Sequence, residues 1–289
     1  FYGWDGDQKT ISAEVKPVRE DRNVNVEELD YFIRSKVGWL STAYRVGGTL
    51  EQIQQFLAAG IPVMIEETFI MDEGYWPNDD LWAGHYLLVT GYDADKQIFT
   101  AQDVYYGPDQ KVPYAELDKK WKAFNRVLIA VYPPDQEATV QSIFGPDWDP
   151  DQNRQRALDT AQAETQADPK DAFAWFNLGT NMVYFERYGE AAEAYNTARE
   201  IGLPQRMYRY QFGPFIADFH AGRNDDLLAL TEYALQRTPN SEEALLWRGW
   251  ALYRQGNTEQ ALELFNKALE DNPNYGDAQY AIQFVQSGG

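Results

Sequence analysis

Gly84-His85-Tyr86-Leu87-Leu88-Val89-Thr90-Gly91-Tyr92-Asp93-Ala94-Asp95-Lys96-Gln97-Ile98-Phe99-Thr100-Ala101-Gln102-Asp103 decides the reading of the first half of this chain. Two β-rich runs, His85–Tyr92 and Gln97–Asp103, flank Asp93-Ala94-Asp95-Lys96, a hairpin turn signal. Outward from the hairpin, Ile61–Phe69 and Val127–Tyr132 read as further strands. Ahead of them, Val26–Lys36 reads as a helix with Asn25 as its cap and Leu29, Phe32 and Ile33 on one face. Leu50–Ala59 reads as another, capped by Thr49 and stopped by Gly60. Helices first and a strand meander after them predict an α+β domain over residues 1–134, closed by Pro133-Pro134.

Residues 135–152 read as a polar connector ending in Gly145-Pro146-Asp147-Trp148-Asp149-Pro150-Asp151. Residues 153–289 are rich in Ala, Leu, Glu, Gln and Arg and read as all helical. This half repeats itself. Gly179, Ala191, Tyr195 and Ala198 have the same spacing as Gly249, Ala261, Phe265 and Ala268. Pro239 and Pro273 each close a helix at equivalent points, and Gly222, Ala234 and Pro239 mark a degenerate copy between. The pattern over 172–273 resembles the tetratricopeptide repeat (TPR), a helix–turn–helix unit whose small residues let paired helices approach closely. The resemblance implies an all-α solenoid with capping helices at 153–167 and Gly276–Gln286, and a peptide or protein ligand in its groove. Two departures stand out: Gln211-Phe212-Gly213-Pro214 interrupts a first helix, and Arg248 stands where an apolar residue is expected.

Composition bounds the possibilities. The chain has 289 residues, 44% hydrophobic and 24% charged, with a net charge of −20. The acidity is shared, 13 Lys/Arg against 23 Asp/Glu in residues 1–145 and 12 against 22 in the remainder. Neither half carries a basic patch, which argues against a nucleic-acid or anionic-membrane partner. No apolar run approaches the ~18–20 residues of a membrane span. There is no cysteine, so disulfides, Cys-ligated metals and a thiol nucleophile within these residues are excluded. No metal or organic cofactor is expected. Asp147-x-Asp149-x-Asp151-x-Asn153 resembles the front of a calcium loop but lacks its turn glycine and distal Glu, and reads as helix-capping acids. The Asp72-Glu73-Gly74-Tyr75-Trp76-Pro77 loop that follows Glu66-Glu67 reads as an acidic, solvated turn, the alternative being the rim of a cleft. His220 reads as a packing or surface residue.

His85 and Asp103 are the candidate site. A three-residue turn plus a bulge makes them directly opposed cross-strand neighbours on one face, whereas a two-residue turn puts them on opposite faces. A carboxylate beside an imidazole fixes its tautomer and stabilises the imidazolium, the orienting half of a nucleophile–His–Asp system. Spacing alone also fits a structural His–acid pair.

The Gly-His strand continuing Leu-Leu-Val-Thr-Gly-Tyr-Asp, the short turn and the strand ending in Gln-Asp resemble the C39-type branch of papain-like cysteine peptidases. Ala58-Ala59-Gly60-Ile61-Pro62-Val63-Met64-Ile65 resembles that family's helix and strand leading to the His. The resemblance implies a papain-like fold in which His85 is the general base and Asp103 the orienting acid. The family's Cys-Gly-Pro nucleophile motif and its preceding Gln are absent. Phe1–Gly6 reads as the tail of that helix, so the expectation is a partial, N-terminally truncated domain, inactive as written, with apolar surface exposed around Phe1, Tyr2 and Tyr86. The alternative is a non-enzymatic pseudo-peptidase with TPR repeats, a binding scaffold. Absence of cysteine suits an exported bacterial protein and equally a cytosolic one. The expectation leans to the cell envelope or extracellular space, with no reading of oligomeric state.

Overall fold

The computed structural model describes residues 1–15, 23–74 and 80–288. In chain order it contains α1 (Gln8–Val15), α2 (Val26–Phe32), β1 (Ser41–Arg45), α3 (Leu50–Ala58), β2 (Val63–Ile70), β3 (Trp82–Asp93), β4 (Ile98–Asp103), β5 (Gly107–Pro113), α4 (Tyr114–Trp121) and β6 (Leu128–Tyr132). Helices follow: α5 (Glu137–Phe144), α6 (Pro150–Ala167), α7 (Ala172–Tyr184), α8 (Tyr188–Ile201), α9 (Gly213–His220), α10 (Asn224–Leu235), α11 (Glu242–Arg254), α12 (Thr258–Asp271) and α13 (Gly276–Gln286). The Tyr75-Trp76-Pro77 part of the acidic loop lies outside the described residues. The chain divides into two compact units. One is Phe1–Asp5, Asn25–Ile70 and Ala83–Asn181; the other is Gly6–Val24, Met71–Trp82 and Met182–Gly289.

The first unit is built on a six-stranded sheet in the order β1-β6-β2-β3-β4-β5. Pairs β1/β6, β2/β6, β3/β4 and β4/β5 are antiparallel. Strand alternation aims Val63, Ile65, Leu87, Val89, Phe99 and Ala101 into one core, where Ile53 and Phe56 of α3 and Leu117 and Trp121 of α4 meet them. Helix α3 starts where Thr49 and Gln52 satisfy each other's amides at 3.1 Å, and it ends before Gly60, whose φ of 76° is left-handed. The edge strands β1 and β5 were not foreseen. Residues 107–113, Gly-Pro-Asp-Gln-Lys-Val-Pro, have a loop's composition, and their strand character comes from pairing with β4. The opening residues form no helix: Phe1–Asp7 is irregular, with Trp4 packed edge-on against Phe32 at 5.7 Å.

The 135–152 stretch is more ordered than a polar connector. Val140 and Phe144 of α5 enter the sheet's core, with Phe144 against Phe56 at 5.1 Å. Asp149 caps α6 by accepting the Gln152 amide at 2.9 Å. Asp147 is buried and takes both arms of the Arg156 guanidinium, at 2.8 and 2.5 Å. Asn153 bonds both the amide and the carbonyl of Val46, at 3.1 and 2.8 Å. Further along, Asn125 and Asn181 pair through their amides at 2.9 and 3.3 Å. These contacts hold α6 and most of α7 within the first unit, which runs to Asn181.

In the second unit, each helix from α9 to α12 packs against the next one in the chain. Gly249 of α11 lies directly against the Phe265 ring of α12, closer than any Cβ would allow. Ala261, Ala268, Ala278 and Ala281 are fully buried in the same cluster. Arg248 turns to α10, donating to the Leu228 carbonyl at 2.9 Å and pairing with Glu232 at 2.9 Å, which explains a cation at that position. The interruption at 211–214 shortens the first helix of the middle pair. Pro214 sits in the first turn of α9, and the preceding 3-10 turn Gln205–Arg209 buries Met207, Tyr208 and Arg209 instead.

Candidate functional site

The site is made by the β3–β4 hairpin. Asp93 closes the turn, accepting the Lys96 amide at 3.1 Å, and Gln97 takes the left-handed conformation at φ 54°. Pairing runs from Asp93↔Ile98 to Gly91↔Thr100, slips at Thr90, and resumes at Val89↔Ala101 and Leu88↔Gln102. The loop is therefore four residues, 94–97, and the bulge restores the parity that a four-residue loop alone would lose. Continuing this register places Leu87, not His85, opposite Asp103, so the two site residues share a face as diagonal neighbours.

Their side chains meet. His85 Nε2 lies 3.0 Å from Asp103 Oδ1, with the side chains only 9% and 5% exposed. The distance is that of a hydrogen bond, yet the ring N–H is not directed along it, and Nε2 forms no hydrogen bond of good geometry. The same Oδ1 accepts the backbone amides of Tyr105 at 2.6 Å and Tyr106 at 3.0 Å. This Asx-type turn fixes the carboxylate as β4 ends. Phe69 of β2 packs on the imidazole at a ring separation of 4.9 Å, and Tyr105 packs on Phe69 at 5.1 Å. Val104, Tyr105 and Tyr106 are all exposed, so an apolar rim borders the pair.

Phe69 fixes which face of β2 looks toward His85, and alternation puts Glu67 on that face. Both Glu66 and Glu67 are buried, 8% and 5% exposed. Strand β2 lies between β6 and β3 and buries both of its faces at Ile65, Glu66 and Glu67. Burial pushes the Glu67 carboxyl up to about 7; Lys120 opposes this, while Asp103 and Glu116 add to it. On the other face, burial holds Glu66 well above the usual carboxylate range, with Glu27 adding to it. Tyr86 shares that other face, and burial raises its phenol well above its ordinary value, followed by the charges of Glu66, Glu27 and Glu28. Tyr86 is therefore not part of a groove beside His85. Phe1 is 91% exposed, whereas Tyr2 is half-buried.

His220 is exposed and stacks on Tyr188 at 4.4 Å. Among the described residues no group of three or more His, Asp or Glu is placed to hold a metal ion, and no helix is long and apolar enough to cross a membrane. Sequence reading gave Glu67 no role at the site and passed over Phe69, Tyr105 and Tyr106. The apolar run Val104-Tyr105-Tyr106, directly after Asp103 in a turn, was the signal available for the rim.

Two known families match separate parts of the chain. Residues 26–129 match the Peptidase_C39 like family, and residues 242–275 match the tetratricopeptide repeat. The human Protein O-mannosyl-transferase TMTC3 is 26% identical over 149 residues, covering 47% of this chain and 16% of that protein. The chain thus spans about a sixth of the length of that curated relative. Among solved structures, MamA is similar at 16% identity and a TM-score of 0.42, over 47% of this chain and 78% of its own. YrrB, described as a TPR protein with an unusual peptide-binding site, is 20% identical with a TM-score of 0.25, over 45% of this chain and 84% of its own. The chain carries a Peptidase_C39-like domain and a tetratricopeptide repeat.

Proposed function

We propose that the C39-like domain is of cysteine-peptidase type, with His85 as its general base and Asp103 as its orienting acid, and that the TPR helices bind a peptide or protein. The observation supporting this is the 3.0 Å approach of His85 Nε2 to Asp103 Oδ1. It leaves Nδ1 as the nitrogen that would take a thiol proton. In such a triad the thiolate attacks the scissile carbonyl and the imidazolium returns the proton to the departing amine. Water then releases the acyl group with the imidazole as base. The 289 residues contain no cysteine, so they supply base and acid only, and this chain is inactive in hydrolysis.

A second reading is favoured by that same missing thiol: a pseudo-peptidase domain joined to TPR helices as a binding scaffold. The two separate in one experiment on a longer protein that includes whatever is encoded ahead of Phe1. The enzyme reading expects a cysteine whose alkylation by iodoacetamide slows about 10-fold or more in His85→Ala, as expected for loss of imidazolium support to a thiolate. Absence of such a cysteine, or alkylation indifferent to His85, overturns it in favour of the scaffold.

A further inference from the structure

Helices α9, α11 and α13 of the second unit begin successive pairs, and α11 packs against both α9 and α13. Residues separated by the Pro239–Pro273 interval recur on one side of such a stack: Phe219 with Tyr253, His220 with Arg254, and Trp250 with Phe284. Rings on this side form a continuous ladder. Phe219 meets Trp247 at 5.4 Å and Trp250 at 6.4 Å. Trp250 meets Phe284 at 5.7 Å, and Phe284 meets Tyr280 at 6.0 Å. Tyr253 touches both Trp250 and Phe284, at 6.0 and 6.1 Å. The ladder is not sealed in a core. Trp247, Trp250, Tyr253 and Phe284 are half-buried, and Tyr280 is 61% exposed. A cation sits on it: the exposed Arg254 holds its guanidinium 3.4 Å from the centre of the Phe219 ring and donates to the Phe219 carbonyl. Arg254 makes no ion pair with the described residues, whereas Arg187, Arg223 and Arg248 of the same unit pair with Glu190, Glu193 and Glu232.

We propose that this face binds an extended peptide carrying apolar side chains at alternate positions and one carboxylate, which pairs with Arg254. The proposal names the ligand class of the TPR helices and rests on the reading that they bind a peptide or protein. Alternate side chains of an extended chain leave the same side about 6.6–6.8 Å apart, close to the ring separations along the ladder. Most of these rings meet at 53–79°. Edges and faces therefore alternate, leaving clefts for apolar side chains rather than one flat plane. Charge complementarity sets the remaining requirement. The chain's net charge of −20 repels acidic ligands as a whole, so a guanidinium without a carboxylate of its own accepts one at a single place. A peptide with a run of acids is disfavoured by the same overall charge.

The test uses the full chain and a blocked, fluorescently labelled peptide with phenylalanine at alternate positions and one aspartate between them, read by anisotropy. Saturable binding is expected, weakened about 10-fold when asparagine replaces the aspartate. Arg254→Gln should weaken the aspartate peptide by a similar factor and leave the asparagine peptide unchanged. Tyr280→Ala should weaken both peptides alike, by about threefold or more. Both positions are exposed, and melting midpoints check that the variants fold. Binding indifferent to the aspartate and to Arg254→Gln, or unchanged in Tyr280→Ala, overturns the proposal. Panning a random peptide library on the immobilised chain separates this failure from that of the underlying reading. Enrichment of peptides lacking the pattern overturns the proposal alone, whereas no enrichment and no binding of the designed peptide overturn both. Self-association of the chain that is lost in Tyr280→Ala would assign the face to a second copy and likewise overturn the proposal.

Discussion

His85 Nε2 and Asp103 Oδ1 stand 3.0 Å apart across a diagonal of the β3–β4 hairpin, an approach made possible by the bulge at Thr90. Without the slip, the four-residue loop would put the two residues on opposite faces. The carboxylate's direction is set separately, by the Tyr105 and Tyr106 amides. Position in the sheet and aim of the side chain thus have different causes, and they respond differently to substitution.

Asp103→Ala removes the acceptor for both amides and is expected to cost ~1–3 kcal/mol in urea unfolding. Asp103→Asn keeps an acceptor oxygen and is expected to cost less than half as much. Equal losses for the two variants would show that the turn bonds do not hold the carboxylate in place.

The hairpin was legible in sequence because Asp93-Ala94-Asp95-Lys96 interrupts two β-rich runs, but its parity was not. Loop length and a bulge compensate each other, and only the paired backbone shows both. Strand β5 stayed hidden because 107–113 is polar and becomes a strand only through β4. Helix α5 was hidden because the polar composition of 135–152 outweighs the single helical face made by Val140, Ile143 and Phe144. The TPR signal was clear at Gly249 and Ala261, where spacing reports a direct packing demand.

Gly249 touches the Phe265 ring, and Ala261 is fully buried beside it. Gly249→Ala and Ala261→Leu should each overpack the α11–α12 contact and destabilise by ~1–3 kcal/mol. Thermal melts of the full chain check this. An unchanged midpoint for both would remove close helix approach as the reason for these small residues.

Arg209 is fully buried, with Nη1 3.2 Å from Glu242 and 3.9 Å from Glu243. Asn272 adds a contact to Glu242 at 3.4 Å. Arg209→Met leaves two buried carboxylates without their cation and is expected to cost ~3–5 kcal/mol. Adding Glu242→Gln and Glu243→Gln should recover part of that loss. A triple variant no more stable than the single one would show that the Arg209 side chain acts by packing rather than by charge.

Asp218 gives a pH prediction whose sign differs from that of an ordinary salt-bridged acid. Its side chain is in the buried interior of α9, and burial pushes the carboxyl up to about 7, with the Asp226 charge adding and Arg223 opposing. The folded protein therefore holds this proton at pH values where the unfolded chain, with a value near 3.8, has released it. Folding then binds a proton, and stability falls as pH rises from about 4 through about 7. Above that window the folded state carries an unfavourable buried charge; below it the group is neutral in both states. Asp218→Asn should exceed the parent in stability at pH 8 by on the order of 1–3 kcal/mol, with the difference closing by about pH 4. Urea midpoints for both proteins at the two pH values check it, and a difference that grows toward low pH would show that Asp218 is ionised and favourably paired in the fold.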